Sequence, residues 1–342
     1  MLGSPLKTLR VTFLPCGPWR IGPDSGDRDR VDRIYHSDTM YSAVSNAMAQ
    51  LGQIDEWLDA TARAAQPAVR FSSCFPFQSG PEGTTDFVVP PRHLWPPPAS
   101  SKVRWKGAKF VPLSVVHDLV HGRPISEEDW AVDSQSECLV PIGSQGPFRV
   151  SVRSNAAIDR DGSGVEPHSS ACIEFARHAG LWLHIVFADD AARDRWTDPI
   201  VSVLRLLSDS GLGGERSRGW GRAAVSYSSC MDLHWFPEAS TTGEIAWWML
   251  SLFHPSNTDT VDWQRGNYSL TTRTGRVESD ARWGDRKKQT RMVAEGSVLV
   301  SASEPRGSAT DVAPEGFPHP VYRSGFALAI PIPLSVAKVT TS

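Results

Sequence analysis

The chain reads as a mixed α+β protein, and three observations predict that class. Residues 7–13 alternate apolar and polar with the period of a half-buried strand, and 148–152, 181–187 and 223–227 are strand-like pieces. Two segments, 36–52 and 198–211, place apolar residues three and four apart between a capping residue and a glycine, the pattern of amphipathic helices. Of 342 residues, 40% are hydrophobic and 21% charged, the balance of a packed globular protein long enough to hold two cores.

Lys7-Thr-Leu-Arg-Val-Thr-Phe13 alternates as a strand and leads into a polar loop, 23–33, where Asp24, Asp27, Asp29 and Asp32 interleave with arginines. The aspartates miss calcium-loop spacing and their neighbours neutralise them, so no metal is expected there. A helix starts at His36-Ser-Asp-Thr39 with Ser37 or Asp38 as cap, carries Tyr41, Val44, Met48 and Leu51 on one face, and ends at Gly52. A second helical stretch covers 55–65 until Pro67 breaks the pattern. Between 71 and 98 the prolines cluster, at Pro90-Pro91 and Pro96-Pro97-Pro98, which predicts extended, irregular structure outside the core.

His117-Asp-Leu-Val-His121 has the spacing of a helical zinc site, but Gly122 and Pro124 interrupt the next turn and no third ligand follows, so two solvent-facing histidines are expected. Further on, Asp198 is placed to cap a helix with Pro199 at its first position, Ile200, Val203, Leu204 and Leu207 on its buried face, and Gly211 ending it. The order strand, helix, insertion, strand, strand, helix, strand is the βαββαβ plan of a ferredoxin-like domain with an insertion. Past Ser228 the elements are 231–236, 245–253, 268–274, 292–302 and 322–332, with Pro331 and Pro333 marking an edge strand.

The connection Gly211-Leu-Gly-Gly-Glu-Arg-Ser-Arg-Gly-Trp-Gly-Arg222 holds five glycines and three arginines. Glycine lets backbone amides approach a ligand closely, and Arg216, Arg218 and Arg222 supply permanently charged forked donors, so an anion is the expected ligand. A helix precedes the loop and a strand follows, the reverse of a nucleotide-binding loop. Arg216 also stands where the dinucleotide fingerprint needs glycine, and Trp220-Gly221 where a P-loop needs Lys-Ser/Thr, which sets ATP and NAD aside; no cofactor is expected. A plain helix end and hairpin would need only one or two glycines. A second basic segment, 282–291, joins Arg273, Arg276 and Arg323 in suggesting an anion-binding groove.

The net charge of −3 argues against whole-surface attraction to nucleic acid, so any RNA must be held by such local patches. His36, Ser37 and Asp38 are triad residue types, yet adjacent residues cannot line up as nucleophile, base and orienter. Cys16, Cys74, Cys138, Cys172 and Cys230 form no Cys-x-x-Cys pair and are expected as buried free thiols. With no leader pattern and no apolar run of membrane length, a cytoplasmic protein without membrane contact is expected.

A glycine-rich loop between the last helix and last strand of a ferredoxin-like domain resembles the RAMP superfamily of CRISPR proteins. Within it, the series His36-Ser-Asp-Thr-Met-Tyr-Ser-Ala43, Ser73-Cys-Phe-Pro-Phe77 with Phe87-Val-Val-Pro-Pro91, Ile158-Asp-Arg160, 211–221, Glu295-Gly-Ser297 and His319-Pro-Val-Tyr-Arg-Ser-Gly325 resembles that of the fourth subunit of the Csm complex, the type III-A effector. The resemblance spans nearly the whole chain. It implies two ferredoxin-like, RRM-like RAMP domains, 1–228 and 229–342, the second degenerate, with a Pro-rich insertion over 67–147 whose 71–98 part is a thumb.

The resemblance further implies a non-catalytic subunit that binds the 5′ handle of the crRNA, docks the large polymerase/cyclase-type subunit and the first backbone RAMP subunit, and reaches target RNA near the start of the guide. The RNA-binding residues it implies are Gly211, Gly213, Gly214, Arg216, Ser217, Arg218, Gly219, Trp220, Gly221 and Arg222, faced by His36, Ser37 and Asp38. Arg160, Arg273 and Arg323 complete the set. Trp220 departs from the family, where a smaller aliphatic residue is commoner. The competing enzymatic reading is a RAMP endoribonuclease cutting precursor crRNA without metal, His36 being its general acid/base; a purely architectural subunit is the third.

Overall fold

The computed structural model describes residues 8–23, 25–97, 104–158, 164–229, 244–279, 281 and 283–334. Along β1 (Thr8–Pro15) Val11 and Phe13 are buried, the period of two that turns one strand face to a core. Next, α1 (Ser37–Gln50) buries Met40, Tyr41, Val44, Ala47 and Met48. The short α2 (Ile54–Ala60) contributes Trp57, whose ring lies 5.6 Å from Tyr41 and 5.3 Å from Trp196.

The chain continues through β2 (Val69–Phe71), β3 (Phe75–Gly80), β4 (Gly83–Val88), β5 (Val111–Pro112) and α3 (Leu113–Val120). Two hairpins follow, β6 (Trp130–Asp133) with β7 (Cys138–Pro141), and β8 (Phe148–Ile158) with β9 (Val165–Phe175). Then come β10 (Ala179–Phe187), α4 (Asp190–Ser210) and β11 (Ala223–Ser229). The main sheet is ordered β11-β1-β10-β3-β4-β5, with β2 also paired to β10. Flanked on both sides, β10 is buried along its whole length. Pairing is antiparallel throughout, and α4 packs on α1 and on β10 and β11.

Several expectations change. The sheet strand between α1 and β10 is not 148–152 but β2 and β3, because Phe71, Phe75 and Phe77 face the core while Phe148–Ile158 pairs only with β9. Segment 71–98 is therefore not peripheral: Phe75, Phe87 and Val88 are core residues, and Trp182 Nε1 donates to the Phe87 carbonyl at 3.1 Å. Helix α4 starts eight residues before Asp198, where Asp189 caps it by accepting from the Ala192 amide at 2.7 Å. Pro199 thus sits inside the helix, at the cost of one amide donor, and buried Trp196 holds the turn before it. Neither Ser37 nor Asp38 caps α1, since the cap residue is His36 and makes no side-chain capping bond. Helix α2 is shorter than 55–65. Cys16 is exposed, whereas Cys74, Cys138 and Cys172 are buried free thiols; Cys230 lies outside the described residues. The rings of His117 and His121 lie 4.1 Å apart, tilted by 44°, near the end of α3, and no metal-binding group of three ligands occurs among the described residues.

The C-terminal part comprises β12 (Ile245–Met249), β13 (Val261–Asn267), β14 (Leu270–Arg273), β15 (Arg276–Glu278), β16 (Trp283–Arg286), β17 (Thr290–Val293), β18 (Val298–Ser301), β19 (Ala309–Asp311), β20 (Tyr322–Ser324) and β21 (Ala329–Pro333). Its four-stranded sheet is ordered β13-β18-β12-β21, which puts Pro331 and Pro333 on an edge as expected. The ribbons β14–β17, β15–β16 and β19–β20 surround it. No helix occurs among the described residues of this part, and 231–236 lies outside them. The two parts share one core, with Trp248, Val298, Ile330 and Ile332 joining residues from the main sheet and α1. No helix among the described residues is long and apolar enough to cross a membrane.

Candidate nucleic-acid interface

Gly211 ends α4 at φ 95°, and the loop then folds back on the segment after β1. The Gly214 amide donates to the Arg20 carbonyl at 2.8 Å, the Gly221 amide to the Pro18 carbonyl at 2.9 Å, and the Leu212 amide to the Gly221 carbonyl at 3.0 Å. Three glycines are demanded by this path, the first being Gly211, where a Cβ would meet the Trp220 carbonyl. Gly213 (φ 84°) and Gly221 (φ 80°) are left-handed, and a Cβ there would collide with the carbonyls of Arg20 and Leu212. Between them Arg216–Arg218 forms one 3-10 turn whose side chains, with Gly219 and Arg222, reach the surface. The loop is a rigid backbone frame carrying exposed cations.

Arg216 Nη2 lies 2.8 Å from Glu278 Oε1 on β15; the side chains are 43% and 51% exposed, so water screens the pair. Arg218 pairs with Glu215 at 3.2 Å and reaches His168 Nε2 on β9 at 3.4 Å. Trp220 is only 7% exposed, with the Arg153 guanidinium of β8 at 5.8 Å from its ring centre. It is a packing residue of the loop base and offers no face for a base to stack on.

His36, Ser37, Asp38, Arg273 and Arg323 do come together, but inside the protein. Asp38 receives Arg273 through Nε at 3.1 Å and Nη2 at 3.0 Å, and Arg323 on its other side. Burial would push its carboxyl up; the two guanidiniums override that and hold it well below the usual carboxylate range. His36 sits between Glu295 (Nδ1–Oε1 2.7 Å) and Asp32 (Nε2–Oδ2 2.9 Å). Burial opposes its charged form, yet Glu295 and Asp32 prevail and raise its pKa to about 9, so both ring nitrogens donate. Ser73 Oγ donates to Glu295 and accepts from the Ser37 amide at 2.9 Å, while Ser37 Oγ accepts from the Leu252 amide at 3.0 Å. The five side chains that the resemblance implies for RNA binding thus lie in the interior, paired with one another and with Glu295 and Asp32. Charges withdrawn from water must be paired, and here they bind α1 to β14 and β20.

A cleft of about 750 Å3 opens beside this cluster, lined by the polar face of α1 (Ser42, Ser45, Asn46), by Arg63, and by Arg276, Glu278, Lys287 and Tyr322. Glu278 belongs both to the cleft and to the Arg216 pair, so one arginine of the glycine loop reaches a residue of the cleft wall. Burial, with Arg323 adding to it, lowers the Lys287 pKa to about 8 against the pull of Asp38 and Glu278.

The chain resembles solved structures over almost its whole length. It aligns with the crystal structure of a Csm3–Csm4 subcomplex of the type III-A CRISPR-Cas interference complex at TM-score 0.64 and 14% identity, covering 95% of this chain and 99% of that one. A Csm1–Csm4 cassette in complex with pppApA gives TM-score 0.57 at 17% identity, with 97% and 99% covered. The model of the CRISPR Csm4 C-terminal domain matches residues 243–332. The CRISPR system Cms protein Csm4 of Streptococcus thermophilus is 25% identical over 305 residues, 87% of this chain and 90% of that protein. The chain is Csm4-like, by its match to the Csm4 C-terminal domain over 243–332 and its similarity to Csm4 over most of its length.

In this Csm4-like chain, the residues implied by resemblance divide into two places. The exposed loop keeps Arg216, Ser217, Arg218, Gly219 and Arg222, and the buried cluster takes His36, Ser37, Asp38, Arg273 and Arg323. Arg160 lies outside the described residues. Sequence reasoning missed Arg20 and Glu278, and took in Lys287 only as one of the basic segment 282–291. Arg20 was detectable only as a charge inside Gly17-Pro-Trp-Arg-Ile-Gly22, while Glu278 carries no local signal because a fold contact alone brings it to the loop and cleft.

Proposed function

We propose that this chain is a non-catalytic subunit of a type III-A effector that holds the 5′ handle of the crRNA. The handle rests on the glycine loop and enters the cleft between the two parts of the molecule. The observation that carries this reading is the rigid loop with Arg216, Arg218 and Arg222 at the surface. Glu278, the partner of Arg216, is exposed and costs little to displace, so a phosphate oxygen can replace it; Glu215, the partner of Arg218, is half-buried. Single-stranded RNA is read through shape, splayed bases and backbone contacts, which suits a cleft on a protein of net charge −3.

The same reading takes residues up to 228 as a ferredoxin-like RAMP domain, supported by the strand–helix–strand–strand–helix–strand sequence and the order β11-β1-β10-β3. Residues 229–342 form the degenerate second domain. The partners are a large polymerase/cyclase-type subunit and a backbone RAMP subunit, by likeness to Csm4 chains crystallised with Csm1 and with Csm3. The hairpin β8–β9, rather than 71–98, is the thumb that approaches target RNA at the start of the guide. The nuclease alternative has lost its support at His36, whose ring nitrogens are both engaged by carboxylates.

The test is binding of a synthetic RNA carrying the repeat-derived 5′ end of the host's own array. Arg216→Ala weakens it by about 1–3 kcal/mol, the worth of a charged hydrogen bond, with less effect on a scrambled RNA. Equal affinity of parent and variant for the handle RNA overturns the assignment.

A further inference from the structure

Arg20 is buried, yet among the described residues no carboxylate lies within ion-pair distance of it. Its Nη1 donates to the carbonyls of Arg28 at 2.8 Å and Ala171 at 2.9 Å, and its Nη2 to the carbonyl of Asp27 at 2.9 Å. Its own carbonyl accepts from the Gly214 amide at 2.8 Å, and its stem lies where any side chain at Gly214 would have to go, 3.3 Å from Cδ. One residue therefore touches the glycine loop, the arginine-bearing segment after residue 26, and β9 near the base of the long hairpin. Burying a guanidinium is expensive unless its donors are satisfied. Here the fold satisfies three with main-chain oxygens from two segments, the neighbours Asp27 and Arg28 and Ala171 of β9, a geometry that a planar fork with five N–H groups can span and an ammonium cannot.

We propose that Arg20 is a positioning residue for RNA binding: it locks the glycine loop, the 27–30 segment and the root of the β8–β9 hairpin into one surface and leaves an uncompensated positive charge beneath the loop. The inference rests on the RNA reading above, but its structural half can be measured without RNA. Arg28 and Arg30 are exposed on the segment that Arg20 holds, so the lock aligns their charges with Arg216 and Arg218 for a single phosphate backbone.

Two variants of the full chain test this, Arg20→Met, which keeps the apolar stem, and Arg20→Lys, which keeps stem and charge but not the fork. In both, hydrogen exchange of peptides covering 211–222 and 168–175 accelerates at least tenfold while peptides of β10 and α1 keep parental rates. Affinity for the handle RNA falls about tenfold in Arg20→Met and by a similar factor in Arg20→Lys. Parental exchange in the loop overturns the proposal whatever the affinity does. Full recovery of affinity by Arg20→Lys alongside fast exchange also overturns it, because charge and not position is then what counts. Accelerated exchange with handle affinity untouched by Arg20→Met but reduced by Arg216→Ala overturns it as well. If Arg216→Ala too leaves affinity unchanged, the RNA reading fails, and the faster exchange supports Arg20 as the lock of the loop.

Discussion

Asp38 is buried at the first turn of α1, where Arg273 donates to both of its carboxylate oxygens and Arg323 to Oδ2, each from a strand more than two hundred residues away. Asp38→Asn keeps the shape and removes the charge that holds Arg273 and Arg323 in the interior. Breaking a buried pair from one side costs about 3–5 kcal/mol; the measurement is chemical denaturation of the full chain, and a loss below about 1 kcal/mol would show that water reaches the arginines. His36 gives a pH signature. Its folded pKa of about 9 lies above the ordinary imidazole value of 6.5, so its contribution is complete below pH 6.5 and is lost as pH rises toward 9. Lys287, lowered from 10.5 to about 8, acts oppositely but only above pH 8. Between pH 6.5 and 8, Tm therefore falls for the parent, and His36→Gln removes that slope even though the variant starts lower. A parental slope in His36→Gln would assign the titration to another group.

The glycine loop behaves as an element because its turns are specified by contacts as well as by torsions. Gly219 (φ 78°) has open space where a Cβ would stand, whereas at Gly221 (φ 80°) a Cβ meets the Leu212 carbonyl. Gly219→Ala thus bears only the left-handed strain, about 1–2 kcal/mol, and keeps RNA binding. Gly221→Ala must also move backbone, so it loses more stability and reduces handle affinity; paired thermal melts and RNA titrations distinguish the two, and equal effects would contradict the packing described here. This also shows what was legible in sequence. The run of five glycines announced a constrained turn and its arginines an anion, but which glycine is indispensable depends on Arg20 and Leu212 approaching from elsewhere. Likewise the buried face of α4 was readable from Ile200, Val203, Leu204 and Leu207, while its start was misplaced because Asp198-Pro199 imitates a capped first turn. The strand at 71–80 was hidden by its proline-rich surroundings, and it became core through pairing with β10, a long-range event without local trace.

Across the whole molecule, a net charge of −3 leaves no general attraction for RNA, so on the reading proposed above the arginines clustered at the glycine loop account for the electrostatics of binding. Counterion release makes that countable. For single strands the slope of log K against log salt is about −0.7 per phosphate neutralised, so Arg216, Arg218 and Arg222 together give about −2, and the addition of Arg28 and Arg30 about −3.5. A broad basic surface making six to ten contacts would give roughly −4 to −7. Titrations of handle RNA between 50 and 300 mM salt are expected to return about −2 to −3.5, and Arg216→Ala to flatten the slope by about 0.7. Asp38→Asn, if it folds, leaves the slope unchanged, because Arg273 and Arg323 lie in the interior cluster. A slope steeper than about −4 would place the RNA on a surface other than this loop, and an unchanged slope in Arg216→Ala would mean that Glu278 keeps its arginine when RNA binds.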